Sequence, residues 1–209
     1  MIKTEYIYLS ITDYNEVLLF QKKKVDDLKN GDKSNYLIFL EHNDVITRGI
    51  RAKNEDLLAD ISTIMKENIL FTDTDRGGSL TAHGPGQLVL YTIFNLKRCG
   101  LSVREFIDKI INSFMYWLKT NGITAYYNDR YPGLYVNGKK ILSLGLRLDS
   151  FITYHGFALN LNSVPKGFKY IIPCSVKNCS MTSVYLETSV KYDIRDVSVS
   201  LYNIIRERF

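Results

Sequence analysis

The stretch Arg76-Gly-Gly-Ser-Leu-Thr-Ala-His-Gly-Pro-Gly-Gln-Leu-Val-Leu-Tyr91 packs four glycines, a proline, a histidine and an arginine into a dozen positions, then runs into an apolar strand. Glycine is entropically costly to order and gives the core nothing to pack. Such a density implies that backbone comes close to something a side chain would block. A loop of this kind feeding a buried strand points to a sheet with a cleft against it.

Working outward, further strands are expected at residues 36–41, 68–73, 88–94, 134–136, 141–148 and 151–161. Asn137-Gly138 separates the fourth from the fifth, a strong hairpin signal because both residues tolerate positive φ. Three helices are expected. The first starts at Asp13, whose spacing to Glu16 suits a capping box, and ends before Gly31. The second runs from Ser102, with Glu105 completing the box, to Gly122. It carries Val103, Phe106, Ile107, Ile110, Ile111, Phe114 and Leu118 as one stripe. The third, from Ile194 to Arg206, repeats the pattern with Val197, Leu201 and Ile204. Strands, a helix, then more strands predict an α+β fold with helices on one face of a mixed sheet.

Alternation adds detail. Along residues 141–148 the leucines at 142, 144, 146 and 148 fall on one face, with Ser143 and Gly145 on the other. Along residues 151–161, Phe151, Phe157, Leu159 and Leu161 share a face opposite Gly156 and Ala158. One side is bulky and core-like. The other is lined by small residues, which leave room for a ligand or for a closely packed helix.

Composition narrows the class. The chain has 209 residues, 45% apolar and 23% charged, as expected of one globular domain spanning 1–209. No apolar run approaches the ~20 residues of a membrane span. The N-terminal residues lack the pattern of a signal or transit peptide. Three cysteines, Cys99, Cys174 and Cys179, are too few and too odd in number for a disulfide framework. They predict a reducing compartment, the cytoplasm. The net charge of +5 suits solubility or an acidic partner. Lys22-Lys23-Lys24 is followed at once by Val25-Asp26-Asp27, a solvated helix face rather than a phosphate-binding arm, so nucleic acid is not expected.

Few chemical groups stand out. Cys174 follows Ile171-Ile172-Pro173, so proline fixes the approach to it. Read alone it is either a small buried hydrophobe or a nucleophile. Lys140 ends the hairpin turn, where a lysine is commonly a solvated residue. His42, His83 and His155 show no helical metal spacing, and there is no Cys-x-x-Cys, so zinc has no support. The Gly-x-Ser-x-Gly elbow, the P-loop and the dinucleotide fingerprint are all absent.

Four ordered blocks resemble the octanoyl-[acyl-carrier-protein]:protein octanoyltransferases, also called lipoate–protein ligases B, across roughly residues 36 to 184. They are Leu40-Glu41-His42-Asn43-Asp44-Val45-Ile46-Thr47; Asp75-Arg76-Gly77-Gly78 through Gln87, Tyr91 and Asn95-Leu96-Lys97-Arg98; Lys139-Lys140-Ile141-Leu142-Ser143-Leu144-Gly145-Leu146-Arg147; and His155-Gly156-Phe157-Ala158-Leu159-Asn160 followed by Ile172-Pro173-Cys174. Ser175 stands where the family usually has glycine, and Ala82 where an aromatic residue is common. The resemblance implies a single biotin/lipoate protein ligase-like domain and a Cys/Lys dyad, Cys174 and Lys140. It implies transfer of an octanoyl group from octanoyl-acyl carrier protein, through a cysteine thioester, to a lysine of lipoyl domains. The implied acceptors are the lipoyl domains of 2-oxoacid dehydrogenases and the glycine cleavage H protein. By position, Arg76, Gly77, Gly78, Ser79, Leu80, Thr81, Ala82 and His83 would line the acyl site. Ser143, Leu144, Gly145, Gly156, Phe157 and Ala158 would join them. No metal or cofactor is implied, since a thioester is already activated. The alternatives are an ATP-dependent lipoate–protein ligase of the same fold and a non-catalytic module that holds the acylated carrier. Strict alternation puts Lys140 on the face opposite Ser143 and Gly145, so a bulge is required at the hairpin end if it is to join them.

Overall fold

Strand β2 (Asn35–His42) is apolar on both faces, which fixes its place inside a sheet covered twice. Leu37 and Phe39 enter one core, while Tyr36, Ile38 and Leu40 enter another. The computed structural model describes residues 3–173 and 179–209. Around β2 lie β1 (Thr4–Thr12), β6 (Gln87–Ile93), β7 (Tyr126–Tyr127), β8 (Gly133–Val136), β9 (Lys139–Asp149) and β10 (Ile152–Asn160). The seven-stranded order is β1-β2-β6-β10-β9-β8-β7. Only the β1–β2 pair is parallel among these ladders, so the sheet is mixed. A second sheet of three strands orders β4 (Leu70–Asp73), β3 (Val45–Arg48) and β5 (Leu80–His83) as β4-β3-β5.

Helix α1 (Tyr14–Lys29) is capped by Asp13, whose carboxylate accepts from the amides of Asn15 and Glu16. Two short helices, α2 (Ile61–Lys66) and α3 (Leu96–Cys99), precede α4 (Val103–Thr120), which has the full Ser102/Glu105 capping box. Then follow α5 (Val184–Thr188) and α6 (Ile194–Arg206). Phe106, Ile110, Ile111, Phe114 and Leu118 of α4 are buried with Val197, Leu201 and Ile205 of α6 against Leu88, Leu90, Phe157 and Leu159. Val103, expected in that stripe, is exposed at the first turn.

The expectation of helices on one face is corrected. Val17, Val25 and Leu28 of α1 pack on the opposite face, against Tyr36, Ile38, Val89 and Ile93. Phe151 is also out of place: it sits at φ 64° in the β9–β10 turn, largely exposed. The Asn137-Gly138 turn forms as expected, with φ of 48° and 78°. Among the described residues, no helix is long and apolar enough to cross a membrane.

Candidate active site

Lys140 reaches the small-residue face by a slip in the ladder. Leu134 pairs with Leu142, but Tyr135 pairs with Lys140, leaving Ile141 as an extra residue. Ile141 and Leu142 therefore both enter the α4/α6 core, and Lys140 turns to the same side as Ser143 and Gly145. The solvated reading of this lysine is overturned, because its side chain is fully buried. Its amide donates to the Ser180 carbonyl at 2.8 Å, and the Thr182 amide donates to the Lys140 carbonyl at 2.9 Å. Its Nζ stands 5.6 Å from the Tyr135 ring centroid. Gly133 makes room for the stem: a methyl group there would lie 2.5 Å from Lys140 Cε and collide with the Leu142 carbonyl.

The glycine-rich loop is clamped from within. Arg76 is buried; its Nε donates to Thr47 Oγ1 at 2.9 Å, and its Nη2 donates to the carbonyls of Thr47 and Ser79, each at 2.7 Å. The guanidinium thus supplies the donors that a tight loop lacks. Ser79 Oγ donates to Asp56 Oδ2 at 2.7 Å, while the Asp56 carbonyl accepts from the Ile172 amide at 2.7 Å. One acidic residue therefore ties the loop to the segment around Ile172. Gly77 presses on β9: its amide donates to the Leu146 carbonyl at 3.1 Å, and a side chain there would meet that oxygen at 2.8 Å. What the glycine admits at this position is neighbouring backbone.

Between loop and sheet lies a cavity. Arg76, Gly78, Ser79, Leu80, Thr81, His83, Ser143, Leu144, Gly145, Gly156, Phe157 and Ala158 line it. Two expected residues do not. Ala82 points the other way, into the cluster of Ile46, Ile64 and Ile69, because alternation along β5 sends Thr81 and His83 to the cavity. Gly77 is spent on the Leu146 contact. Cys174 lies outside the described residues.

Tyr14, Val89, Tyr91 and His155 also line the cavity. Tyr14 and Val89 carried no sequence signal beyond apolar pattern. His155 was hidden by its backbone. Alternation would send it to the core face with its partner Leu146, but φ of 57° turns it beside Tyr154, and the two rings stack 4.8 Å apart. Its Nε2–H donates to Asp75 Oδ1 at 2.9 Å, and Tyr154 donates to Asp75 Oδ2 at 2.5 Å. The bond from His155 holds the Asp75 carboxyl well below the usual carboxylate range. Burial outweighs Asp75 and lowers the pKa of His155, so the ring is a neutral donor.

The other two histidines are neutral as well. Burial pushes His42 down to about 4, and burial, with the neighbouring His42 second, pushes His83 down to about 3. His42 Nδ1 donates to the Thr12 carbonyl at 2.9 Å, so its Nε2 accepts from Tyr91 Oη at 2.8 Å. Of the remaining cysteines, Cys99 is half-buried at the end of α3, 3.5 Å from Asn35 Nδ2, and Cys179 is half-buried in the loop before Ser180.

Octanoyltransferases are similar over most of the chain. That of Caldicellulosiruptor saccharolyticus is 34% identical over 93% of this chain and 84% of its own length. That of Neisseria meningitidis serogroup C is 40% identical over 75% of this chain and 72% of its own length. Among solved structures, a lipoate-protein ligase A bound with ATP superposes with a TM-score of 0.75 at 17% identity, covering 99% of this chain and 85% of that one. A putative lipoate protein ligase from T. acidophilum with bound lipoic acid gives 0.73 at 16% identity, covering 99% and 86%. At such identity these show the fold. The lipoyl protein ligase A/B catalytic domain model matches residues 13–205, and the chain belongs to that family.

Proposed function

We propose that this chain is an octanoyltransferase of protein lipoylation, acting as one catalytic domain with Cys174 as nucleophile and Lys140 as its proton partner. The observation that carries the reading is the fully buried Lys140, turned by the Ile141 bulge to the face of β9 that carries Ser143 and Gly145 and hydrogen-bonded through its backbone to Ser180 and Thr182. Ser180 and Thr182 follow Cys174 closely in the sequence. The relatives named octanoyltransferases support the acyl group and the reaction class.

The chemistry closes as a cycle. A free cysteine near pKa ~8.5 is mostly protonated at neutral pH, so the Cys174 proton moves to Lys140 and leaves a thiolate–ammonium pair. The thiolate attacks the thioester carbonyl of octanoyl-acyl carrier protein; the carrier thiolate departs and takes a proton from Lys140. Neutral Lys140 then removes a proton from the lysine amine of a lipoyl domain as that amine attacks the enzyme thioester. The amide forms, Cys174 leaves as thiolate, and the pair is restored. The octanoyl chain lies in the cavity between the glycine-rich loop and the small-residue faces of β9 and β10. An excess of five positive charges favours encounter with acidic carrier and lipoyl domains. A reduced thiol requires a reducing compartment, which the cytoplasm supplies.

Intact mass after mixing with octanoyl-acyl carrier protein, without ATP, tests the reading. The expected result is one hydroxylamine-labile octanoyl adduct, located at Cys174 and absent in Cys174→Ala. Amide formed only when ATP and free acid are supplied would overturn it in favour of a ligase.

A further inference from the structure

From Lys140 runs a chain of buried amides whose direction can be read without ambiguity. The Thr182 carbonyl can only accept, so Asn160, 2.9 Å away, must present its amide nitrogen there. Asn160 Oδ1 then faces Gln87 and accepts from its Nε2 at 2.8 Å. That places Gln87 Oε1 against His83 Nδ1 at 2.7 Å, and an amide oxygen can only accept. His83 therefore carries its proton on Nδ1. Gln87, Asn160 and Thr182 are all buried, so each misdirected amide would leave orphaned groups at full desolvation cost.

We propose that Gln87 and Asn160 are positioning residues which hold His83 as the Nδ1–H tautomer, presenting its Nε2 lone pair to the acyl cavity as acceptor for an N–H of the incoming lysine amine. This rests on the octanoyltransferase reading for the identity of the amine, whereas the tautomer stands on the hydrogen bonds alone. His83 forms part of the cavity wall, and no partner engages its Nε2 among the described residues. The groups around the ring are Tyr14, stacked at 6.3 Å, His42 at 5.7 Å and the Arg76 guanidinium, none of which supplies a negative charge that would protonate it. The same amide chain continues through Thr182 N–H to the Lys140 carbonyl at 2.9 Å. Acceptor and lysine are thus held in one frame. An amine that donates one N–H to His83 has its lone pair turned away from the ring and free to attack, while its second proton is available to Lys140.

The test combines a spectrum with a rate. In protein labelled with nitrogen-15 histidine, one-bond and two-bond proton–nitrogen correlations read each tautomer of the three rings. His42 and His83 are expected as Nδ1–H and His155 as Nε2–H at neutral pH. Gln87→Leu should release His83 from that single tautomer. It should also slow transfer from the octanoyl-enzyme to a lipoyl domain about tenfold, the equivalent of one hydrogen bond, while acyl-enzyme loading changes less than about twofold. Gln87→Glu keeps an acceptor at Nδ1 but adds a carboxylate that favours the protonated ring, so the Nε2 lone pair is lost and transfer should stay slow. Asn160→Asp still accepts from Gln87 but sets two acceptors face to face at Thr182, and should retain the His83 tautomer. His83 protonated on Nε2 in the wild type would overturn the proposal, as would equal losses in loading and transfer for Gln87→Leu. Absence of any acyl-enzyme in the wild type would instead refute the thioester mechanism, with the spectrum still deciding the tautomer.

Discussion

The two faces of the seven-stranded sheet are both buried, yet they are built from different materials. Towards α4 and α6 the face is almost wholly apolar: Leu88, Leu90, Phe157 and Leu159 meet Phe106, Phe114 and Leu201. Towards α1 and the glycine-rich loop it buries His42, Arg76, His83, Gln87, Lys140, His155 and Asn160. Apolar burial contributes about 25 cal/mol per Å² whatever the pH. Polar burial must recover lost hydration through partners, and so yields geometry rather than stability. The difference separates a face that contributes packing alone from one that packs against α1 and also carries the candidate site.

The largest effect should come from Lys140→Met, which keeps the buried stem and removes the ammonium. Octanoyl transfer should fall on the order of 10³-fold, which single-turnover transfer checks. Activity within tenfold of wild type would erase the contrast between the faces.

On the other side, Phe114→Ala should cost about 3–5 kcal/mol by leaving a cavity in the α4 core. Chemical denaturation at pH 7 and pH 5 should give the same increment, because that cluster is built of apolar side chains, tyrosines and a cysteine and holds no histidine or carboxylate.

The smallest effect, about 2 kcal/mol for each ring, sharpens the comparison through pH. Folded, His42 and His83 are held down to about 4 and about 3, whereas their ordinary value is 6.5. Below pH 6.5 the unfolded chain takes up protons that the folded chain refuses. Stability is therefore complete above that value and falls as pH drops towards 4 and 3. Between pH 7 and pH 5 wild-type unfolding free energy should decline on the order of 2 kcal/mol per ring. A flat profile over that range would show the rings are not buried neutral.

Local rules sufficed where a signal repeats or caps. The α4 box at Ser102 and Glu105, the stripe at Phe106, Ile110 and Phe114, and the Asn137-Gly138 turn were all legible, because i, i+4 packing and turn sterics involve near neighbours. Leucines 142 to 148 and Ser143 and Gly145 sorted to opposite faces for the same reason. Elsewhere locality failed. That α1 covers the second face follows from the crossing of the chain, which no period in its own residues specifies. Strand β1 and the short strands β3 and β5 pair with segments distant in sequence, so they carry little pattern of their own.

By itself, then, the sequence determined a mixed α+β sheet, a glycine-rich loop against small residues, and a family likeness pointing to Cys174 and Lys140. Tertiary structure decided that Lys140 is buried, and that one extra residue in the β8–β9 ladder puts it on the face of Ser143 and Gly145. It also decided that His155 faces the cavity, through one positive φ, and that Ala82 does not, through its strand register. Each of these turns on a single dihedral or a single slip in pairing. Side-chain pattern records which residues are apolar, but not where a strand departs from strict alternation, because that departure is fixed by partners far along the chain.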